Sequence, residues 1–222
     1  MNALHTAQTA RARQKVLVLG ATGGTGRLIV QEALARGHEV RALVRSPDKA
    51  RGLQGAEIIV GDARDEGALR MALQGIDAVF SALGTPASPF RAVTSLSVAT
   101  SALVRAMTAA GVRRLVCVTG IGAGDSAGHG GFVFDRLIFP ALLRRVYADK
   151  NRQEAIVMHS GLDWVLVRPA VLNDKPAKEV VRALTDLTGF HGGTIARADV
   201  AKFVVNQGQG DAWLHRAPLI SW

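Results

Sequence analysis

Val16-Leu-Val-Leu-Gly20-Ala-Thr-Gly23-Gly24-Thr-Gly26-Arg-Leu-Ile-Val30 reads as a strand, a glycine turn and the start of a helix, in that order. Gly20 allows the tight turn, Gly23 lets backbone approach a pyrophosphate, and Gly26 lets the helix pack on the strand. Free N–H groups at the helix start, reinforced by its dipole, hold the anion. The glycine spacing alone is a weak signal. The strand before it and the helix after it make it a dinucleotide loop. Candidate cofactor contacts along it are Gly20, Thr22, Gly23, Gly24, Thr25 and Gly26.

The same alternation continues outward. Apolar, β-rich runs at 15–20, 39–44, 56–60, 78–82, 115–119 and 164–168 are strand candidates. Between them lie helical patterns at 25–36, 66–73 and 93–110, and a long stretch near 132–159. In the third, Val93, Leu96, Thr100, Leu103, Val104 and Met107 follow the spacing of one buried face. Nearly all-apolar strands alternating with helices predict a single α/β domain over 15–222, a doubly wound, mostly parallel sheet of Rossmann type. Later in the chain the pattern predicts a loop at 172–176, a short helix at 179–184, a turn at 190–193 and a closing helix at 198–207. This C-terminal part is expected to build the substrate pocket. Residues 1–14 read as a polar, mobile leader without the apolar core of a secretory signal.

About twenty residues past the loop, dinucleotide folds that prefer NAD place a carboxylate for the ribose hydroxyls. This chain has Val44-Arg45-Ser46-Pro47-Asp48-Lys49 there. Arg45 offers a fork for a 2′-phosphate, Ser46 a hydrogen bond and Lys49 a point charge, which favours NADP(H). After the third strand, Asp62 beside Ala63 is placed to accept from the adenine amino group or to cap the next helix. Ala82, Leu83 and Gly84 keep small groups where backbone passes the adenosine ribose.

The chain has 222 residues, 48% apolar and 20% charged, enough for one large core. Its +9 charge is scattered, at Arg11, Arg13 and Lys15, at Arg105, Arg113 and Arg114, and at Arg144, Arg145, Lys150 and Arg152. Without a continuous block or an interleaved aromatic platform, attraction for a polyanionic cofactor is favoured over nucleic acid. No apolar run approaches the roughly 18 residues of a membrane span. The lone cysteine, Cys117, in an apolar segment, fits a buried thiol in a reduced cytoplasm. A cytoplasmic monomer or homodimer acting on a small molecule is expected, with no nucleic-acid or membrane partner. No histidine shows metal-ligand spacing. His129 and His191, in glycine loops, border the expected pocket, and His159 is placed to answer a helix dipole. Ser126 lies in the Gly-rich loop 120–131, expected to act as a lid.

Gly20-Ala-Thr-Gly-Gly-Thr-Gly26, Leu43-Val-Arg45-Ser46, Gly61-Asp62, Ser160-Gly-Leu-Asp-Trp164, Arg168-Pro169 and Ala196-Arg-Ala-Asp-Val-Ala201 together resemble the atypical short-chain dehydrogenase/reductases, with NmrA-like and biliverdin reductase B/flavin reductase-like members. The resemblance runs from about 15 to 207. It implies a Rossmann fold with NADP(H), and reduction of flavins, quinones or similar acceptors. Some relatives instead sense the nicotinamide ratio and regulate a partner. In the wider superfamily a Ser or Thr after the fifth strand and a Tyr-x-x-x-Lys helix handle the substrate proton. Here Thr119 is followed by Gly120, and Lys150 lies 18 residues before Arg168, at the family spacing. Four residues before Lys150 is Val146, and the only tyrosine, Tyr147, is three before it. That offset turns the phenol by about 100° on a helix. Tyr147 is therefore equally a partly buried aromatic with its hydroxyl at the surface, and Lys150 the stronger of the two. Glu154 is placed to pair with Lys150 at i, i+4. Pro169 and Ala170 would line the nicotinamide side.

The candidate catalytic residues are thus Lys150, Tyr147 and Thr119. The expected function is hydride transfer from NADPH to a small planar acceptor. The alternative is a non-catalytic NADP(H) sensor, motivated by the broken Tyr-x-x-x-Lys pattern. An isomerase or dehydratase ranks behind both, since it needs an acid–base pair.

Overall fold

In the computed structural model, described over residues 12–85, 93–132, 135–137, 143–178 and 180–222, β1 (Lys15–Leu19) lies inside an eight-stranded sheet. Its side chains alternate between faces. Val16 and Val18 enter one core and Leu17 and Leu19 the other, all fully buried. A strand covered on both faces must be apolar at every position, which is why its sequence shows a run rather than an alternation.

β2 (Glu39–Val44) and β3 (Glu57–Val60) lie to one side of β1. β4 (Ala78–Ser81), β5 (Arg114–Val118) and β6 (Asp163–Pro169) lie to the other. Every neighbouring pair among these six is parallel, in the order β3-β2-β1-β4-β5-β6. The direction of winding reverses between β1 and β4, so a crevice opens at the C-terminal ends of those strands. α1 (Gly24–Ala35) packs on the valine face through Ile29, Val30 and Ala33. The leucine face carries Ala68, Leu69 and Ala72 of α2 (Glu66–Ala72), and Ala102, Leu103 and Met107 of α3 (Ser95–Ala110). α4 (Arg144–Met158) joins this face through Val157, within the expected stretch 132–159, part of which lies outside the described residues.

The chain after β6 departs from expectation. β7 (Val171–Asn173) pairs in parallel with β9 (Thr194–Ala196), so the segment expected to be a loop at 172–176 begins in a strand. Where a helix was expected at 179–184, β8 (Arg182–Leu184) runs antiparallel to β10 (Leu219–Ser221). Glu179 is outside the described residues. A helix of so few residues gains little once nucleated, and a partner strand from the far end of the chain outbids it. β10 pairs in parallel with β6 and extends the sheet. α5 (Arg197–Asn206), the expected closing helix, packs Val200, Val204 and Val205 on the valine face beside α1.

Of the leader, residues 12–14 are tied down rather than mobile. The Gln14 N–H donates to His38 Nδ1 at 3.1 Å, and its carbonyl accepts from Glu39 at 2.9 Å. The Gln209 side chain donates to the Ala12 carbonyl. Residues 1–11 lie outside the described residues. Among the described residues, no helix is long and apolar enough to cross a membrane.

Candidate active site

The turn after β1 closes with the Gly23 N–H donating to the Gly20 carbonyl at 3.0 Å. Gly20 takes φ +75°, and a Cβ there would stand 2.3 Å from the Ala82 carbonyl oxygen. A Cβ on Gly26 would stand 2.1 Å from the Gly20 carbonyl oxygen. Both contacts are with backbone, so neither can yield cheaply. The start of α1 has no side-chain cap and no acidic residue in its first turn. Its first N–H groups and positive dipole end are thereby left for an anion, which suits a dinucleotide phosphate.

A cleft of about 750 Å³ opens over this loop. It is lined by Gly20, Thr22, Gly23, Gly24, Thr25 and Gly26, by Arg45 and Lys49, by Asp62 and Ala63, and by Ala82, Leu83 and Gly84. Ser46 is the exception. It sits half-buried in extended backbone after Arg45 and is not among the residues lining this cleft. Arg27 staples the nucleotide end together, with Nη2 donating to the Lys49 carbonyl at 2.7 Å and Nε to the Thr22 carbonyl at 3.3 Å. Asp62 does not cap α2. Asp65 does, accepting from the Gly67 N–H at 2.8 Å. The Arg64 guanidinium, 2.7 Å from Asp62, holds that carboxyl down to about 2, with a smaller contribution from Arg45. Asp62 is therefore an ionised acceptor at the cleft edge.

A second cleft, of about 760 Å³, lies beside the ends of β5 and β6. Thr119, Tyr147, Lys150, Pro169 and Ala170 line it, with Ile121, Phe132 and Val171 making its walls mostly apolar. Leu172 lines both clefts. The expected nicotinamide-side residues and the expected nucleotide-side residues thus fall into two adjoining hollows.

Of the two readings of Tyr147, its placement matches the candidate site: the residue is largely buried and shares the second cleft with Lys150. A Cβ on Gly120 would lie 3.6 Å from the Tyr147 hydroxyl and 3.9 Å from Lys150 Nζ. Residues three and four back from Lys150 straddle the same helix face, so a 100° offset rotates the ring without removing it. Val146, at the i−4 position, fills core instead. The glycine after Thr119 leaves room for both polar heads. Burial pushes the Tyr147 phenol up to about 12, with Asp135 adding to the effect. Burial also lowers the Lys150 ammonium, against opposing influence from Cys117 and Glu154.

Thr119 lines the same cleft. Its hydroxyl donates to Glu154 Oε1 at 2.6 Å and is committed to the interior, while its carbonyl accepts from Lys150 Nζ at 2.5 Å. Glu154 does not pair with Lys150. It takes Arg168 through both oxygens, at 3.0 and 2.7 Å. Arg168 also pairs with Asp125 in the loop after β5. A planar fork satisfies two buried carboxylate oxygens where an ammonium satisfies one. Sequence reasoning missed this network because Arg168 is 14 positions from Glu154, on a strand.

The loop expected to act as a lid is braced. Ser126 Oγ accepts from the Gly122 N–H at 3.0 Å, and Asn151 accepts from the Gly124 N–H at 2.9 Å. Asp149, fully buried on α4, caps α3 by accepting from the Leu96 N–H at 2.9 Å and the Ser97 hydroxyl at 2.5 Å. His129 stacks on His191, with ring centroids 6.0 Å apart, and bonds the Phe190 carbonyl at 2.9 Å; neither is among the residues lining these two clefts. His159 ends α4 and bonds the Ala155 carbonyl at 2.7 Å, as a dipole partner would. Cys117 is buried, and desolvation pushes its thiol up to about 12. Among the described residues no cluster could hold a metal ion.

Comparison with known proteins fits this geometry. A family pattern described as NAD(P)H-binding matches residues 20–209. A Bacillus subtilis (strain 168) protein described as the uncharacterized sugar epimerase YhfK is 30% identical over 199 residues, 86% of each chain. The NAD(P)H azoreductase of Xenophilus azovorans is 33% identical over 156 residues, 69% of this chain and 47% of its own. Among solved structures, ChuY, an anaerobillin reductase from Escherichia coli O157:H7, superposes with a TM-score of 0.79 at 25% identity, covering 93% of this chain and 96% of its own.

Proposed function

The chain belongs to the NAD(P)H-binding family, and on that premise we propose that it is an NADPH-dependent oxidoreductase reducing a small planar acceptor of flavin or quinone type. The observation that carries this reading is the meeting at Leu172 of a cleft with phosphate-binding character and a cleft with apolar walls. The nicotinamide, when bound, supplies a hydride from its C4. The glycine loop and the start of α1 hold the diphosphate. Arg45 and Lys49 face the 2′-phosphate, with the ionised Asp62 at the same cleft edge. Lys150 serves the nicotinamide ribose, and Pro169 and Ala170 form a flat wall. Together these groups orient the reactants and keep water out. Hydride and one proton make up the two-electron reduction of the acceptor. Tyr147 stays protonated at neutral pH and can donate to an acceptor oxygen or nitrogen, while flavins and quinones can also take that proton from water.

Tyr147 and Lys150 are the only titratable side chains among the described residues lining the apolar cleft. That is thin provision for a sugar with many hydroxyls, so the epimerase description of one relative is not carried over. The commitment of the Thr119 hydroxyl to Glu154 favours the sensor as the second reading.

The deciding experiment follows the loss of reduced-nicotinamide absorbance with a panel of flavins, quinones, azo dyes and aldehydes, beside a binding titration. Turnover on the flavins or quinones is expected. Tight binding of both redox forms with no turnover would establish the sensor instead. Tyr147→Phe should slow aldehyde reduction by about 10²–10⁴-fold, the usual worth of a positioned acid. The same variant should leave flavin or quinone reduction almost unchanged, and an equal loss on every acceptor would contradict this division of labour. Arg45→Asp should weaken NADPH by roughly 10- to 100-fold, the scale of a lost charge-assisted pair, and NADH far less. Equal losses for the two cofactors in a fluorescence titration would strip Arg45 of the role.

A further inference from the structure

Arg197 is the first residue of α5, and its side chain crosses the nucleotide cleft to α1. Its Cδ and Nε stand 3.2 Å from where a Cβ of Gly24 would be, with Cζ at 3.9 Å. Gly24 is itself the first residue of α1. A cation therefore sits at the positive ends of two helix dipoles, the wrong sign at both. Among the described residues, its one hydrogen-bond partner is Asp174 Oδ1, at 2.7 Å from Nη1. Asp174 is 83% exposed, and an ion pair so open to water offsets little of that repulsion. The remaining donors of the guanidinium fork have no acceptor among the described residues. An anion between the two helix starts would reverse the sign of every one of these interactions.

We propose that Arg197 is a ligand for the cofactor's diphosphate, reaching the glycine loop from the opposite wall of the cleft, and that Asp174 is the stand-in partner the diphosphate displaces. The assignment rests on the dinucleotide reading above and deepens it. The loop supplies backbone donors, and Arg197 adds a side-chain charge directed at the same group. Asp174 follows β7, and Leu172 of that strand lines both clefts. Release of Asp174 therefore touches the strand that divides nucleotide from acceptor.

The test compares calorimetric binding of NADPH with that of adenosine 2′-monophosphate, which keeps the adenosine and 2′-phosphate but lacks the diphosphate. Arg197→Ala should weaken NADPH by roughly 10- to 100-fold and leave the monophosphate unchanged. It should also flatten the dependence of NADPH affinity on salt. Arg197→Met keeps an aliphatic stem over Gly24 and should lose the same affinity with an unaltered melting temperature, which separates charge from packing. Arg197→Lys should recover part of the loss. Asp174→Asn should match or exceed wild-type affinity for NADPH, since the anion then has no competitor. Equal weakening of both ligands by Arg197→Met, or of neither, overturns the assignment. So does a loss in Asp174→Asn as large as that in Arg197→Ala. A wild-type protein that binds the monophosphate but not NADPH removes the diphosphate site alone. One that binds neither removes the dinucleotide reading and this assignment with it.

Discussion

Replacing Arg168 with methionine should lower the unfolding free energy by about 3–5 kcal/mol at neutral pH, the cost of stripping one partner from a buried ion pair. Arg168 is 2% exposed and Glu154 nearly as buried. Without the guanidinium, Glu154 keeps the Thr119 hydroxyl as its hydrogen-bond donor, which cannot replace the lost charge. A typical domain has only about 5–15 kcal/mol to lose, so the variant stands near the edge of folding. The double variant Arg168→Met with Glu154→Leu replaces charge by volume and should recover most of the loss. Urea unfolding of the single and double variants measures the loss and its recovery. A double variant no more stable than the single would mean that the pair is not the source of the cost.

The other large effect is expected at Gly26→Ala. The new methyl would sit 2.1 Å from the Gly20 carbonyl oxygen and 2.7 Å from its carbon. Neither atom can swing aside, so α1 must move off β1 by about an ångström, at a cost near the upper end of overpacking, about 3 kcal/mol. The same shift takes the first N–H groups of α1 away from the diphosphate. Two hydrogen bonds to a charged acceptor, at about 1.5 kcal/mol each, amount to roughly a hundredfold in affinity. Gly24→Ala is the control. Its methyl would meet only the flexible Arg197 side chain, at 3.2 Å, so stability should hardly change. A titration showing normal NADPH affinity in Gly26→Ala would remove the geometric argument for this loop.

The six parallel strands were legible because burial on both faces forces each into an unbroken apolar run, and their ends fall within a residue or two of the structure. The glycine loop was legible for a related reason, since sterics at Gly20 and Gly26 admit no other residue. What the sequence could not disclose are contacts decided at a distance. Strands such as β8 and β10, of three residues each, are too short to show any period and exist because they find each other. The partner of Glu154 depended on which cation the fold carried into the interior. Local spacing pointed to Lys150, but burial favoured the two-pronged Arg168. Tyr147 was left with two readings because motif spacing was treated as a direction, when positions three and four back on a helix share a face.

The place of β10 gives the molecule an order of assembly during synthesis. The Arg168 N–H donates to the Pro218 carbonyl at 3.0 Å and the Ala170 N–H to the Ile220 carbonyl at 2.9 Å. Until residues 218–221 have left the ribosome, the edge of β6 that carries Pro169 and Ala170 has no neighbour there, and β8 has nothing to pair with. The strands that carry the glycine loop, β1 with its neighbours β2 and β4, pair with none of these residues. A nascent chain can therefore complete its phosphate cradle while the wall of its acceptor hollow is still unmade.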